Sequence, residues 1–257
     1  MIDNLHGSLL TPPALLPSAQ SERVSAGRQA HPESTQNSLL AAVTRKEYQR
    51  LSGMLEPVTL IFGEVLYEPG DVIRHVYFPG VSLVSLLTLV DHHLALEVGL
   101  VGREGMVGVP LALGVSVSST RALVQGAGVA MRMKSAHFLK ELAHSLPLRR
   151  AILHYTHVLM AQVARTAACN RFHVVEARLA RWLLMTRDRV QSNDFPMTQE
   201  FLSHMLGVRR VGVTKAAGEL QTLKLIEYRR GHIKIIAPHE LKAVACSCYQ
   251  AIRDISS

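Results

Sequence analysis

The residues most able to do chemistry lie in one stretch, Thr198-Gln-Glu-Phe-Leu-Ser-His-Met-Leu-Gly207-Val-Arg-Arg-Val-Gly-Val-Thr-Lys-Ala-Ala-Gly-Glu-Leu220. Arg209 and Arg210 are adjacent, with Thr214 and Lys215 one turn further on. A guanidinium can donate two parallel hydrogen bonds to O6 and N7 of guanine, and a lysine offers a point charge. To meet base edges, such groups must stand on the first turns of a helix that enters the major groove, where its positive dipole end faces phosphate. The surrounding pattern predicts that support. Thr198 is a good N-cap, and Leu202, Met205 and Leu206 give a first helix its apolar face. Gly207 falls where a tight turn needs positive φ. A second helix starts near Arg209, with Val213, Ala217 and Leu220 inward, Val208 plugging the turn, and Arg209, Arg210, Thr214 and Lys215 outside. Thr198 and Gln199 are then placed to touch backbone phosphate.

Downstream, Leu225-Ile-Glu-Tyr-Arg229-Arg230-Gly231-His232-Ile-Lys-Ile-Ile236 reads as two short strands. Their cationic tip, Arg229, Arg230 and His232, can reach a neighbouring phosphate, so the whole is a winged helix-turn-helix pattern. Charge agrees with this. The 257 residues carry 28 Lys and Arg against 20 Asp and Glu, a net of +8. Residues 168–257 hold 14 of those cations against 8 acids, a net of +6 in a third of the chain. That asymmetry points to a polyanionic partner.

Composition narrows the class. Apolar residues make up 48% and charged residues 19%, which excludes wholesale disorder. Three cysteines, Cys169, Cys246 and Cys248, are too few for a disulfide framework and fit a reducing compartment. No apolar run reaches the roughly 18 residues of a membrane span, and prolines 12, 13 and 17 break the N-terminal apolar stretch, so no secretory signal is expected. A cytoplasmic protein is the expectation.

The elements that must carry the cationic segment come next. Residues 1–38, rich in Ser, Pro, Gln and Asn, read as a flexible leader. A short helix is expected from Leu39 to Leu51. From Pro57 to Met133 short β-like runs alternate with turn signals, including a hairpin tip at Asp91-His92 before His93, and they predict an antiparallel roll or sandwich. Ser135 could cap a helix through Leu142, stopped near Pro147. Leu148, Ile152, Tyr155, Leu159 and Val163 then form one stripe of a long helix, read as a subunit seam in preference to packing within its own chain. A further helix puts Val175, Leu179, Trp182, Leu183 and Val190 on a common face, with Met185 as core filler. The fold class is α+β, divided as leader 1–38, β-roll sensor domain 39–145, dimerisation helix 146–170 and winged helix 171–257.

In this order of parts the chain resembles the Crp/Fnr superfamily of bacterial transcription regulators over about residues 40–240. The resemblance implies a homodimeric regulator on a palindromic operator, with double-stranded DNA as partner, no enzymatic activity and no membrane. In that family a recognition-helix arginine reads guanine, and Arg210 in Gly207-Val-Arg-Arg matches its position. The family's second base-reading arginine falls on Lys215, and its cytosine-reading glutamate on Val211, which could instead touch a thymine methyl. A different operator sequence is therefore expected. RNA polymerase and an unidentified small-molecule effector are further candidate partners.

The family's sensor pocket holds a cyclic phosphate with an Arg-Ser or Arg-Thr pair and the ribose with a glutamate. Here the matching region reads Gly102-Arg-Glu104-Gly-Met-Val-Gly108-Val109-Pro, then Ser118-Ser-Thr120-Arg121. Val109 stands at the glutamate position, and Thr120-Arg121 reverses the pair, which turns the arginine to the other strand face. Cyclic nucleotide is disfavoured as a cofactor, unless Glu104 swings in. The β-roll has no cysteine, so the thiolate set of an iron–sulfur cluster cannot come from it. Cys246 and Cys248 are expected to diverge on one C-terminal helix, and each cysteine to be structural. An alternative is a cupin-like metal- or effector-binding roll whose basic C-terminal part serves protein interaction. Its histidines do not converge: His93 and Glu97 share a face but Ala95 lies between them, His92 points away, and His75 is followed by Tyr77. No metal site is expected.

Overall fold

The structure is a computed structural model that describes residues 37–90 and 94–256, so most of the leader and the expected tip at Asp91, His92 and His93 lie outside it. Residues from Asn37 onward belong to one compact unit. Asn37 is buried and caps α1 (Ser38–Ala41), accepting from the Leu39 and Leu40 amides. Its Nδ2 donates to the carbonyls of Pro79 and Gly105 at 3.0 and 2.7 Å. The folded part thus begins before Leu39. The single helix expected over 39–51 is two, α1 and α2 (Arg45–Ser52), because Thr44 starts a new one with a reciprocal capping box to Glu47.

The β region is an antiparallel roll of two sheets. One has the order β1 (Glu56–Leu60), β7 (Gly128–Lys134), β3 (His75–Pro79). The other runs β2 (Val65–Tyr67), β6 (Arg121–Gly126), β4 (Leu83–Val90), β5 (Leu94–Val101). Val76, Phe78, Val84, Val101, Ala122 and Met133 fill the space between them. A short 3₁₀ turn, Val109–Leu113, closes one end.

Helix α3 (Ser135–His144) starts one residue earlier than a Ser135 cap requires: Lys134 stands at the cap position and makes no side-chain cap bond. Pro147 does not merely stop α3. It sits in the first turn of α4 (Leu146–Phe172), where its missing N–H costs nothing.

On this 27-residue helix Leu148, Ile152 and Tyr155 are buried against the roll, with Leu159 packed beside them. The stripe read as a subunit seam is therefore mainly an intrachain face. A different face carries the exposed apolar side chains Leu153 and Met160, Met160 being 65% exposed, and Val163 at the end of the stripe is exposed as well. Periodicity correctly marks the face but cannot name what covers it.

Helix α5 (Val175–Val190) is the spine of a second core, with Leu179, Trp182, Leu183, Leu184 and Met185 buried. That core joins Leu83, Leu87 and Leu100 of the roll to residues of β8 (Asp194–Pro196), α6 (Gln199–Leu206) and α7 (Arg210–Thr222). It continues through β9 (Ile226–Arg229), β10 (His232–Ile235), α8 (Pro238–Val244) and α9 (Cys248–Ser256). The wing is three-stranded, in the order β8-β10-β9, with β8 adding to the expected hairpin. The contact with the roll is close. Phe62 and Phe201 stack with centroids 5.6 Å apart, and a Cβ on Gly207 would lie 2.6 Å from the Leu96 side chain. No described helix is long and apolar enough to cross a membrane.

Candidate nucleic-acid interface

Thr198 is the N-cap of α6, its Oγ1 accepting from the Phe201 amide at 3.1 Å. Gly207 ends that helix at φ 60°, the left-handed geometry that a turn into α7 needs. Arg209 is the N-cap residue of α7 and Arg210 its first helical residue. Val213, Ala217 and Leu220 are buried, with Ala216 beside them. The face left outside carries Arg209, Arg210, Val211, Thr214 and Lys215, all exposed, Val211 at 80%. Val211 is thus an open apolar side chain flanked by cations at the positive end of a helix dipole.

The internal bonds of this face are light. Gln199 Oε1 accepts from Thr214 Oγ1 at 2.9 Å and from Arg210 Nε at 3.4 Å, which ties the start of α6 to the first turns of α7. Gln199 is therefore partly engaged in positioning Arg210. Lys215 lies 3.9 Å from Glu219, a solvent-exposed i,i+4 pair of small energetic weight.

The wing stands next to this face. Arg230 and Gly231, at φ 49° and 78°, form the two-residue loop between β9 and β10. Positive φ at both positions is the type I′ turn, one of the two-residue loops whose twist matches that of the strands. A Cβ on Gly231 would lie 3.6 Å from Thr198 Cγ2, and the Gly231 carbonyl accepts from the Met197 amide, so the wing tip abuts the start of α6. Arg229 is 3.7 Å from Glu227 and His232 is 3.7 Å from Asp194, all exposed. The ten residues expected from sequence at the cationic end are thus gathered by α6, α7 and the wing.

The sensor-pocket residues are arranged differently. Glu104 does not swing toward the roll; its Oε1 takes a hydrogen bond from Arg189 Nε of α5 at 2.7 Å and one from the Gly102 amide. Arg121 Nε is 2.8 Å from Glu68 Oε2. Val109 is buried, and Gly108 adopts φ 104° with so little room that a Cβ would meet Val76 Cγ1 at 2.9 Å. The Thr120 amide and carbonyl are both bonded to Ser118 Oγ. Tyr67 is buried among these groups, hydrogen-bonded to Gly108 and Ser118, and burial pushes its phenol well above its ordinary pKa. A cleft of about 410 Å³ exists, but Arg103, Glu104, Asp188, Arg189, Ile252 and Arg253 line it, without Val109, Thr120 or Arg121.

Two constellations were not anticipated. Glu97 points inward from β5, fully buried. Its Oε1 accepts from Trp182 Nε1 at 3.0 Å, and its Oε2 lies 2.8 Å from Ser85 Oγ. Ser85 also lies 2.5 Å from Gln125 Oε1, and Gln125 Nε2 donates to Thr186 at 3.1 Å. One hydroxyl proton cannot serve two acceptors. Either a protonated Glu97 donating to Ser85 or a reversed Gln125 amide resolves this, and burial raises the Glu97 pKa to about 7. A register shift in β5 between Glu97 and Gly99 breaks the strict alternation there, so the face Glu97 takes is not readable from a period of two.

The second is sulfur-rich. Cys246 and Cys248 do not share a helix: Cys246 lies in the turn before α9 and Cys248 is its first residue. Instead of diverging they converge with Cys169 and His173, all four ligand atoms lying within 4.8 Å of one another. The thiols are unbonded. A hydrogen bond from Cys246 holds the Cys169 thiol down to about 5, while the same contact and burial push Cys246 up. The expectation that Cys246 and Cys248 diverge on one helix is corrected by this geometry; all three thiols are buried.

Comparison with known proteins follows the same lines. Residues 177–244 match the Crp-like helix-turn-helix domain. Among solved structures, FixK2 from Bradyrhizobium japonicum superposes with a TM-score of 0.64 at 13% identity, covering 75% of this chain and 98% of that one. The c-di-GMP responsive global regulator CLP from Xanthomonas campestris gives 0.62 at 16% identity, covering 75% and 99%. A CRP/FNR-family transcriptional regulator from Thermus thermophilus gives 0.56 at 22% identity, covering 74% and 98%. No curated protein sequence matches the chain.

Proposed function

We propose that this chain, a Crp/Fnr-type DNA-binding transcription regulator with a Crp-like helix-turn-helix domain, works as a homodimer that reads a two-fold symmetric operator with the first two turns of α7. The observation that carries the reading is the gathering of Arg209, Arg210, Val211, Thr214 and Lys215 on one exposed helix end, beside the wing tip. Arg210 donates to a guanine edge, Val211 packs on a thymine methyl, and Lys215 supplies charge. Thr198, Gln199, Arg229, Arg230 and His232 hold the backbone phosphates on either side.

The outward face of α4, with Leu153 and Met160 and the neighbouring exposed Val163, supports pairing with a second copy, since exposed apolar residues along a helix gain most when covered. Two-fold pairing sets two α7 helices on half-sites about 10 bp apart, or a multiple of that. In this reading residues 39–145 sense or brace, 146–170 pair the subunits and 171–257 bind DNA, in the cytoplasm where duplex and RNA polymerase are both reached. Cyclic AMP is not the signal. Glu104 and Arg121 are engaged with Arg189 and Glu68, and Val109 offers no acceptor to a ribose. Any effector, whatever its identity, regulates only by binding the DNA-competent arrangement more tightly than the other.

Selection from a pool of random duplexes tests this. The full chain should enrich an inverted repeat, and sedimentation should give a dimer that Met160→Lys weakens. Recovery of duplexes with no enriched sequence, at a salt concentration that suppresses non-specific binding, overturns the reading.

A further inference from the structure

The α4–α5 junction and the C-terminal segment meet at a cluster unrelated to the DNA face. Cys169 and His173 are one turn apart at the end of α4, on the same side of the helix. Cys246 and Cys248 come from the α8–α9 turn, whose Cys246 amide donates to the Ala177 carbonyl at the start of α5. Thus two short chelating pairs, Cys-x3-His and Cys-x-Cys, face each other across the packed helices. Cys169 Sγ lies 3.5 Å from Cys246 Sγ, and Cys248 Sγ lies 3.6 Å from His173 Nδ1.

These separations match the edges of a tetrahedron. With metal–sulfur bonds of about 2.3 Å and metal–nitrogen bonds of about 2.0–2.1 Å, ideal edges are about 3.8 Å between sulfurs and about 3.6 Å from sulfur to nitrogen. A disulfide would need its sulfurs at about 2.05 Å, far closer than they stand. A four-iron cluster would need its thiolates on separate irons, further apart than this packing holds them.

The charge around the site fits the same conclusion. Arg178 and Arg181 are both buried, 5% and 4% exposed, and the Nε of each lacks a hydrogen-bond partner. Among the described residues neither lies within 4 Å of a carboxylate, although Arg181 acts at longer range on buried Glu97; Arg178 bonds to Asn170 Oδ1 and the Leu206 carbonyl, and Arg181 to Met185 Sδ. Both guanidiniums act electrostatically on these thiols. Buried cations need a compensating negative charge. Three thiolates, one neutral imidazole and a divalent ion sum to −1, which offsets one of the two positive charges.

We infer that Cys169, His173, Cys246 and Cys248 form a closed Cys₃His site for one divalent metal ion of zinc-like preference. Four protein ligands leave no open position, so the ion is structural. It fastens the turn before α9 to the end of α4, and so fixes the second core, built on α5, relative to the long helix. The thiols release their protons as the ion enters, and nothing is oxidised or reduced.

Elemental analysis of the full chain, purified without chelator and under thiol protection, tests the site. About one zinc per chain is expected. Removing it should lower the Tm, and titrating the apo chain with Co²⁺ should produce thiolate-to-cobalt charge-transfer bands with the intense visible absorption of tetrahedral cobalt. Cys248→Ser should weaken Co²⁺ binding by more than about 100-fold, beyond the usual cost of losing an outer hydrogen-bond partner. His173→Cys is the control for folding: it should keep one ion per chain and shift the cobalt bands. A metal-free chain whose apo form gives no charge-transfer band overturns the inference. So does iron with inorganic sulfide, or a Cys169–Cys246 disulfide formed under those conditions.

Discussion

The roll and the winged helix both carry arginines, carboxylates and hydroxyls, but they use them in opposite ways. In the roll Arg121 is held by Glu68, Glu104 by Arg189, and Glu97 by Trp182 and Ser85. On α7 and the wing, Arg209, Arg210, Lys215 and Arg230 stand in solvent, with intrachain contacts of 3.4 Å or longer where they exist. Residue type alone would nominate either region as a binding site. The state of each group's bonding capacity separates them, because a group already paired must first break that pairing to take a ligand.

The comparison sharpens most at Glu97, the extreme of commitment. Its pKa, raised by burial from 4.5 to about 7 and eased by Ser85, Arg181, Trp182 and Arg189, means the folded state holds a proton that the unfolded chain has lost. Its stabilising contribution is complete below about pH 4.5, falls as pH rises, and is gone above about pH 7. Glu97→Gln mimics the protonated form, so at pH 8 it should be more stable than the parent by up to about 3 kcal/mol, and close to it at pH 4. Denaturant unfolding across pH measures this; a variant destabilised at every pH would show Glu97 to be ionised and paired.

At the uncommitted end, Arg210→Ala should cost about 1–3 kcal/mol on the selected operator and little on random duplex. Competition binding separates the two, and equal losses would make Arg210 a phosphate contact. Arg230→Ala should act more weakly, lowering affinity for all duplexes alike and flattening the salt slope by about one unit. A loss confined to one sequence would move Arg230 into the base-reading set. The smallest effect is expected where the roll's groups are already engaged: calorimetry with cyclic AMP or cyclic GMP should give no submicromolar binding. Saturable heat would erase the contrast between the two regions.

What the sequence displays follows from the range of the forces involved. Gly207, the Thr198 cap and the outward set on α7 are local, fixed within a few residues by backbone sterics and helix period, and they were legible. So was the order of roll, long helix and winged helix. The stripe on α4 shows where that reading stops. Leu148 and Ile152 face the same chain and Leu153 and Met160 face outward, and hydrophobic period alone does not say whether a face is covered by its own chain or by another. The Cys₃His cluster was missed for a related reason: Cys169 and Cys246 are 77 residues apart, and only the packing of α9 on α4 joins them. Its trace was two short chelating pairs, which become informative when considered together. Arg178 and Arg181 count toward the +6 of the basic third of the chain, yet they are buried beside those thiols, which a charge count does not reveal.

The central claim is that α7 reads bases, and replacing guanine by 7-deazaguanine at single positions of the selected operator tests it most directly. Removing N7 deletes one acceptor of the arginine pair while leaving the phosphates unchanged. The account predicts one position per half-site where the parent chain loses affinity and Arg210→Ala loses nothing further. If every position has the same effect in both proteins, or none, the exposed end of α7 does not decode the duplex.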